Sequence, residues 1–222
     1  MNSKTKNILI WSAISVGVIG ISLLIIKLAS KKKPKKSKLQ KKIIDVANKE
    51  WTDWRKGKAK EDDSNMYDRL TTYWDNVGWK SSQWSPTGTA WSAAFISYVM
   101  RKGGAGGLFK YNASHSAYIR DAVKNRKENK KNPFKAYRLN EKAPEEGDLV
   151  CYSRETKTDL YDRTSSYKSH CDIVVKKNSV NIEVIGGNVS HTVGKKVVPL
   201  NPDGTVKAGS VGKKWFAVIK TK

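Results

Sequence analysis

The chain of 222 residues has little of what builds a metal centre or a stapled secreted scaffold, with two cysteines and three histidines in all. Cys151 and Cys171 stand 20 apart and have no CxxC partner, so neither a zinc site nor a disulfide-rich scaffold fits; one bridge and two free thiols both stay open. No internal repeat and no phosphate-cradling glycine loop occurs, and the length excludes two large domains. Acidic residues are missing from residues 1–42, which hold eleven lysines. That stretch supplies much of the net charge of +23, and the remainder of the chain is basic to a lesser degree.

What is present argues for a folded domain. Hydrophobic residues make up 38% of the chain, with 8 Trp, 9 Tyr and 4 Phe, too much buriable aromatic surface for a disordered polymer. Ahead of that domain, residues 8–26 read ILIWSAISVGVIGISLLII, nineteen positions without a charge. A helix of that length spans roughly 28 Å, close to the hydrocarbon thickness of a bilayer. A cleaved signal peptide fits less well, because the apolar run is long and Leu28-Ala29-Ser30 is a poor cleavage site. The expected organisation is therefore a single-pass transmembrane anchor in residues 1–27, a lysine-rich linker in residues 28–42 and a folded domain in residues 43–222.

The lipid bilayer is then one partner, through residues 8–26. The side of the membrane is not fixed. Lysines after the span outnumber Lys4 and Lys6 before it, which favours a cytoplasmic body. The linker KKKPKKSKLQKK suits anionic headgroups; as a nucleic-acid tail it is unspecific, and no base-reading module follows, so nucleic acid is not expected as a partner.

In the body, apolar residues recur at threes and fours over residues 39–54 and predict an amphipathic helix, with a second over residues 67–76. Residues 78–89 are polar and turn-rich, and Pro86 and Gly88 precede an apolar helix over residues 90–100. A polar helix follows over about residues 114–130. Beyond Pro144 the period changes: residues 148–153, 172–176, 180–185, 195–200 and 215–220 read as strands separated by turn signals, pairing antiparallel with their neighbours. Helices first and an antiparallel sheet afterwards is an α+β pattern.

Three segments bring chemistry-bearing residues to element ends. Ser92 begins the apolar helix within WSAAFIS, His170 begins a strand within HCDIVV, and Asn188 leaves the next strand within IGGNVS. A hydroxyl at a helix N-terminus, an imidazole and a carboxamide are the parts of a nucleophile, base and orienter set. The backbone N–H groups and positive dipole end at the helix start favour a developing anion.

The ordered run WSAAFIS, GDLVC, HCDIVV and IGGNVS resembles the papain-like cell-wall amidohydrolases of the NlpC and CHAP type. Within them it is most similar to a bacterial family of domains of unknown function, over about residues 43–222. The resemblance implies a papain-like core, no cofactor or metal, and cleavage of amide bonds in peptidoglycan peptides or a similar acyl transfer. It departs from active members at the nucleophile, where Ser92 stands in place of cysteine. A hydroxyl needs its proton removed as it attacks, so His170 must act as general base, with Asn188 fixing its ring. Trp91 and Trp84, with His115, Arg154 and Asp172, are the candidate substrate-binding residues. His115 either contacts substrate or caps its helix. Arg154 and Asp172 either pair with one another or line the groove. The rival reading is an inactive homologue that binds the cell wall or a protein. In it Ser92 is a plain helix cap, and Gly186, Gly187 and Asn188 form only a turn.

Overall fold

Ser37 starts the first helix by a reciprocal pair of hydrogen bonds. Its Oγ accepts from Gln40 N at 3.1 Å, and Gln40 Oε1 accepts from Ser37 N at 3.0 Å. The computed structural model describes residues 35–222 and builds four α-helices: α1 Lys38–Asp53, α2 Tyr67–Asp75, α3 Ser92–Lys102 and α4 His115–Lys127. Six strands follow: β1 Phe134–Arg138, β2 Leu149–Ser153, β3 Ser169–Lys177, β4 Asn181–Gly186, β5 Gly194–Pro199 and β6 Lys214–Thr221. The apolar span expected at residues 8–26 lies outside the described residues, and among those described no helix is long and apolar enough to cross a membrane. Residues 38–42, grouped above with the linker, form the first turn of α1.

The helices differ in how much of their circumference is buried. Helix α1 hides one stripe, with Ile43, Ala47 and Glu50 inward, whereas α3 buries every residue from 92 to 97 together with Val99 and Met100. An apolar helix with few polar positions has no stable place except between other elements, and α3 packs against α1, α2 and β3. Trp54, Tyr73 and Trp91 form an aromatic stack beneath its first turn, with ring centroids 4.9 Å apart for Trp54–Trp91 and 5.8 Å for Tyr73–Trp91.

All strand pairs are antiparallel, in the order β1-β6-β2-β3-β4-β5. The expected run of neighbours holds from β2 to β5. Two features differ: β1 precedes Pro144, and β6 returns to sit between β1 and β2. Both faces of the sheet are buried, which is why its strands read as continuous apolar runs. Leu149, Cys151, Cys171, Ile173 and Ala217 join the core beneath the helices, while Val150, Tyr152, Val174, Val184 and Val218 form a second cluster on the other face. The sheet curls around that second cluster. In a flat sheet β5 and β6 would lie roughly 19 Å apart at the usual strand spacing. Instead the Nζ of Lys196 on β5 is 5.7 Å from the ring of Trp215 on β6.

Cys151 and Cys171 oppose each other in the β2–β3 register, with Cα atoms 4.1 Å apart, and form a disulfide that is wholly buried. The bridge is thus taken and the two free thiols are not. At the open end of β2, Gly147 turns the chain and Asp148 accepts from Thr221 N at 3.1 Å and pairs with Lys220, tying the start of β2 to the end of β6. Asp148 therefore belongs to the scaffold.

Candidate active site

Ser92 is the first residue of α3 and is buried, and the backbone N–H groups of Ala93 and Ala94 have no partner within the helix. The first bond inside the helix is made by Phe95 N to Trp91 O at 3.0 Å. Its hydroxyl does not cap the helix. Ser92 Oγ instead lies 2.7 Å from Nε2 of His115, the first residue of α4. The other nitrogen, Nδ1, bonds the hydroxyl of Tyr118 one turn along the same helix. Burial, then the neighbouring His170, push the His115 pKa well below the usual histidine value, so this imidazole is neutral at physiological pH. Burial likewise raises the Tyr118 phenol, which keeps its proton.

His170 comes from the sheet. Its ring centroid is 4.9 Å from that of His115, and it stacks on Tyr152, directly opposite on β2, at 5.0 Å. Its Nε2 is 3.2 Å from Oδ1 of Asp172, two residues along β3 and on the same face. Asp172 is fully buried, which alone would raise its pKa, but His170 and then Lys196 hold it far below the usual carboxylate range. The Lys196 ammonium lies 2.8 Å from Oδ2. This His170–Asp172–Lys196 row requires a missing side chain next door. A Cβ on Gly186 would fall 3.0 Å from His170 Nε2 and collide with the Asp172 carboxylate. The first glycine of IGGNVS is there to let β4 approach.

Asn188 sits elsewhere than the sequence reading put it. With positive φ, its amide lies between Trp91 N and Glu61 Oε2, and in the orientation that satisfies both of its polar atoms the oxygen accepts from Trp91 N and the nitrogen donates to Glu61 Oε2, each at 3.3 Å. Asp172, not Asn188, is the hydrogen-bonding neighbour of His170, and Asn188 braces the residue before Ser92. Glu61 is buried and also accepts from Trp91 Nε1 at 2.7 Å and meets His191 Nδ1 at 2.7 Å. Trp91 is fully buried beneath this bracing. Trp84 is buried too, stacked on Tyr67 and Trp74. Arg154 is exposed and does not pair with Asp172.

Two openings reach these groups. One, of about 760 Å³, is lined by Ser92, Ala93, His115 and Tyr167 among others; the second, of about 490 Å³, by Tyr152, His170, Asn188 and Lys196 among others. Arg154 and Glu155 line both. Among the described residues, no group of three or more His, Cys, Asp or Glu side chains is arranged to hold a metal ion.

A comparison with known families matches residues 54–221, well over half of the sequence. The chain belongs to DUF2272. That family is described as uncharacterized protein conserved in bacteria. Neither the curated proteins nor the solved structures contain a match.

In this DUF2272 chain the site holds three residues that the sequence reading passed over: Tyr118, Lys196 and Glu61. Tyr118 left a signal, since His115 and Tyr118 are three apart on one helix and so share a face. Lys196 left none, because its arrival at Asp172 depends on the curl of the sheet. Glu61 lies in a polar stretch whose fold is irregular, where periodicity says nothing.

Proposed function

We propose that the protein is a membrane-anchored, papain-like hydrolase of peptidoglycan amide bonds that works with serine in place of cysteine. The observation that carries this reading is the 2.7 Å contact between Ser92 Oγ and His115 Nε2 at a helix start that opens into a cleft. Ser92 attacks the amide carbonyl while His115 takes its proton and later passes it to the leaving amine. The N–H groups of the first turn of α3 hold the oxyanion. The Asp172 carboxylate, held behind His170 at 3.2 Å, favours the imidazolium as it forms on His115. The buried disulfide supports a domain on the oxidising side of the membrane, where a wall substrate lies and where such bonds persist, against the lysine bias of the linker. The test is muropeptide release by the full chain in detergent: loss on Ser92→Ala and survival on Ser92→Cys support the reading, while equal release by all three removes Ser92 from the chemistry.

One observation favours a second reading, a catalytically silent binding module. The Tyr118 hydroxyl is buried, and its hydrogen-bond partner among the described residues is His115 Nδ1. If the phenol donates there, Nε2 carries the proton and donates to Ser92, which leaves the hydroxyl without a base. Binding of wall peptides with no turnover, unchanged by His115→Ala, selects this reading.

A further inference from the structure

The two openings flanking the histidines are unbalanced in charge. Their lining carries Arg154, Lys168, Lys196, Lys213 and Lys214 against one lining acid, Glu155. That acid is already satisfied: Arg163 Nη1 donates to Glu155 Oε2 at 2.7 Å and Lys168 N to Oε1 at 2.8 Å. Lys196 is taken by Asp172, and Lys214 donates to the carbonyls of Glu155 and Thr156 at 3.0 and 3.1 Å. Lys168 adds its charge to the neighbourhood of Glu155, whereas Arg154 and Lys213 make no ion pair with a carboxylate among the described residues. Arg154 is also placed where both openings meet, close enough to His115 to help lower its pKa. Concave surfaces lined by one sign of charge concentrate the opposite charge, and a guanidinium fork matches a carboxylate in shape.

We infer that the opening lined by His170, Arg154 and Lys213 is a subsite for a carboxylate of the same peptide whose amide lies at Ser92, with Arg154 as its anchor. This rests on the hydrolase reading and names the substrate class that reading lacks, a peptide bearing a free carboxylate near the bond attacked. Lys213 stands 5.2 Å over the Tyr152 ring, which leaves its ammonium at the mouth of the opening as a second, weaker attraction.

The experiment measures binding of soluble wall peptides to the full-length Ser92→Ala chain in detergent, with carboxylates intact or converted to amides. Intact peptides are expected to bind about tenfold more tightly, and Arg154→Gln to abolish that preference while Arg154→Lys restores part of it. Equal affinity for both forms, or a preference unchanged in Arg154→Gln, overturns the subsite, as does displacement of the peptides by an equal concentration of inorganic phosphate. Because binding is read in a chain that cannot use Ser92, the two readings fail separately. Selective binding without turnover by the wild-type chain ends the hydrolase and leaves the subsite, and equal cleavage of both peptide forms does the reverse.

Discussion

The two histidines of the site are both buried, yet they live in opposite electrical surroundings. His115 sits between two hydroxyls, Ser92 and Tyr118, and burial strips it of charge. His170 sits on a strand beside a carboxylate that a lysine also holds. The helical half is a chain of neutral hydrogen bonds through which a proton can move by switching donor and acceptor. The sheet half is a fixed ionic row that cannot be discharged cheaply. One fold thus places a neutral imidazole against a charged brace, and the difference predicts that the two halves break differently.

The largest effect separates them in chemistry. Ser92→Ala is expected to lower amide hydrolysis by about 10³-fold or more with little loss of stability, measured by muropeptide release alongside thermal unfolding. The next separates them in stability. Asp172→Asn leaves His170 and Lys196 without their shared carboxylate and is expected to cost about 3–5 kcal/mol in denaturant unfolding. Tyr118→Phe, the matching change on the helical side, removes a neutral bond and should cost nearer 1 kcal/mol. If the two variants destabilise equally, the contrast between neutral and ionic halves is wrong.

Between those lies the staple under the sheet. Reducing the Cys151–Cys171 bond, or replacing both cysteines by alanine, is expected to cost about 3 kcal/mol, read as a fall in unfolding temperature. The smallest effect is a pH slope. Because burial lowers the His115 pKa in the fold, the unfolded chain takes up a proton first as pH falls through about 6.5, and the folded state loses stability there. Asp172 acts in the same direction but at lower pH, its stabilisation lasting until the pH falls into the carboxylate range and below. Between pH 6.5 and 5, His115→Gln should therefore flatten a slope of at most about 1.4 kcal/mol per pH unit. An unchanged slope in that variant would show that His115 does not stay neutral.

The sequence made α1 legible by apolar residues at threes and fours and α3 by an apolar run that starts after Pro86 and Gly88, and α1 to α4 fall within a few residues of their expected places. It made five strands legible for a different reason, their near-continuous Val and Ile content. Strand β1 escaped because Phe134–Arg138 is short, holds no Val or Ile and has only β6 as a neighbour. In the site, Ser92 and His170 were found by their positions at element ends. The pairing of Ser92 with His115 was not, since it depends on how α3 and α4 cross. Asn188 was misplaced for a backbone reason: its left-handed conformation swings the amide toward Trp91 and Glu61.

The seating of β6 reaches beyond this site. Residues 214–221 form the seam that joins β1 to β2, so the sheet lacks a middle strand until those residues have been made. A ribosome making this chain releases no partly finished sheet that can shelter itself. Chains cut short before residue 214, or clipped within 214–221, should leave open strand edges that quality control clears, and this strand should be the part of the domain least forgiving of loss.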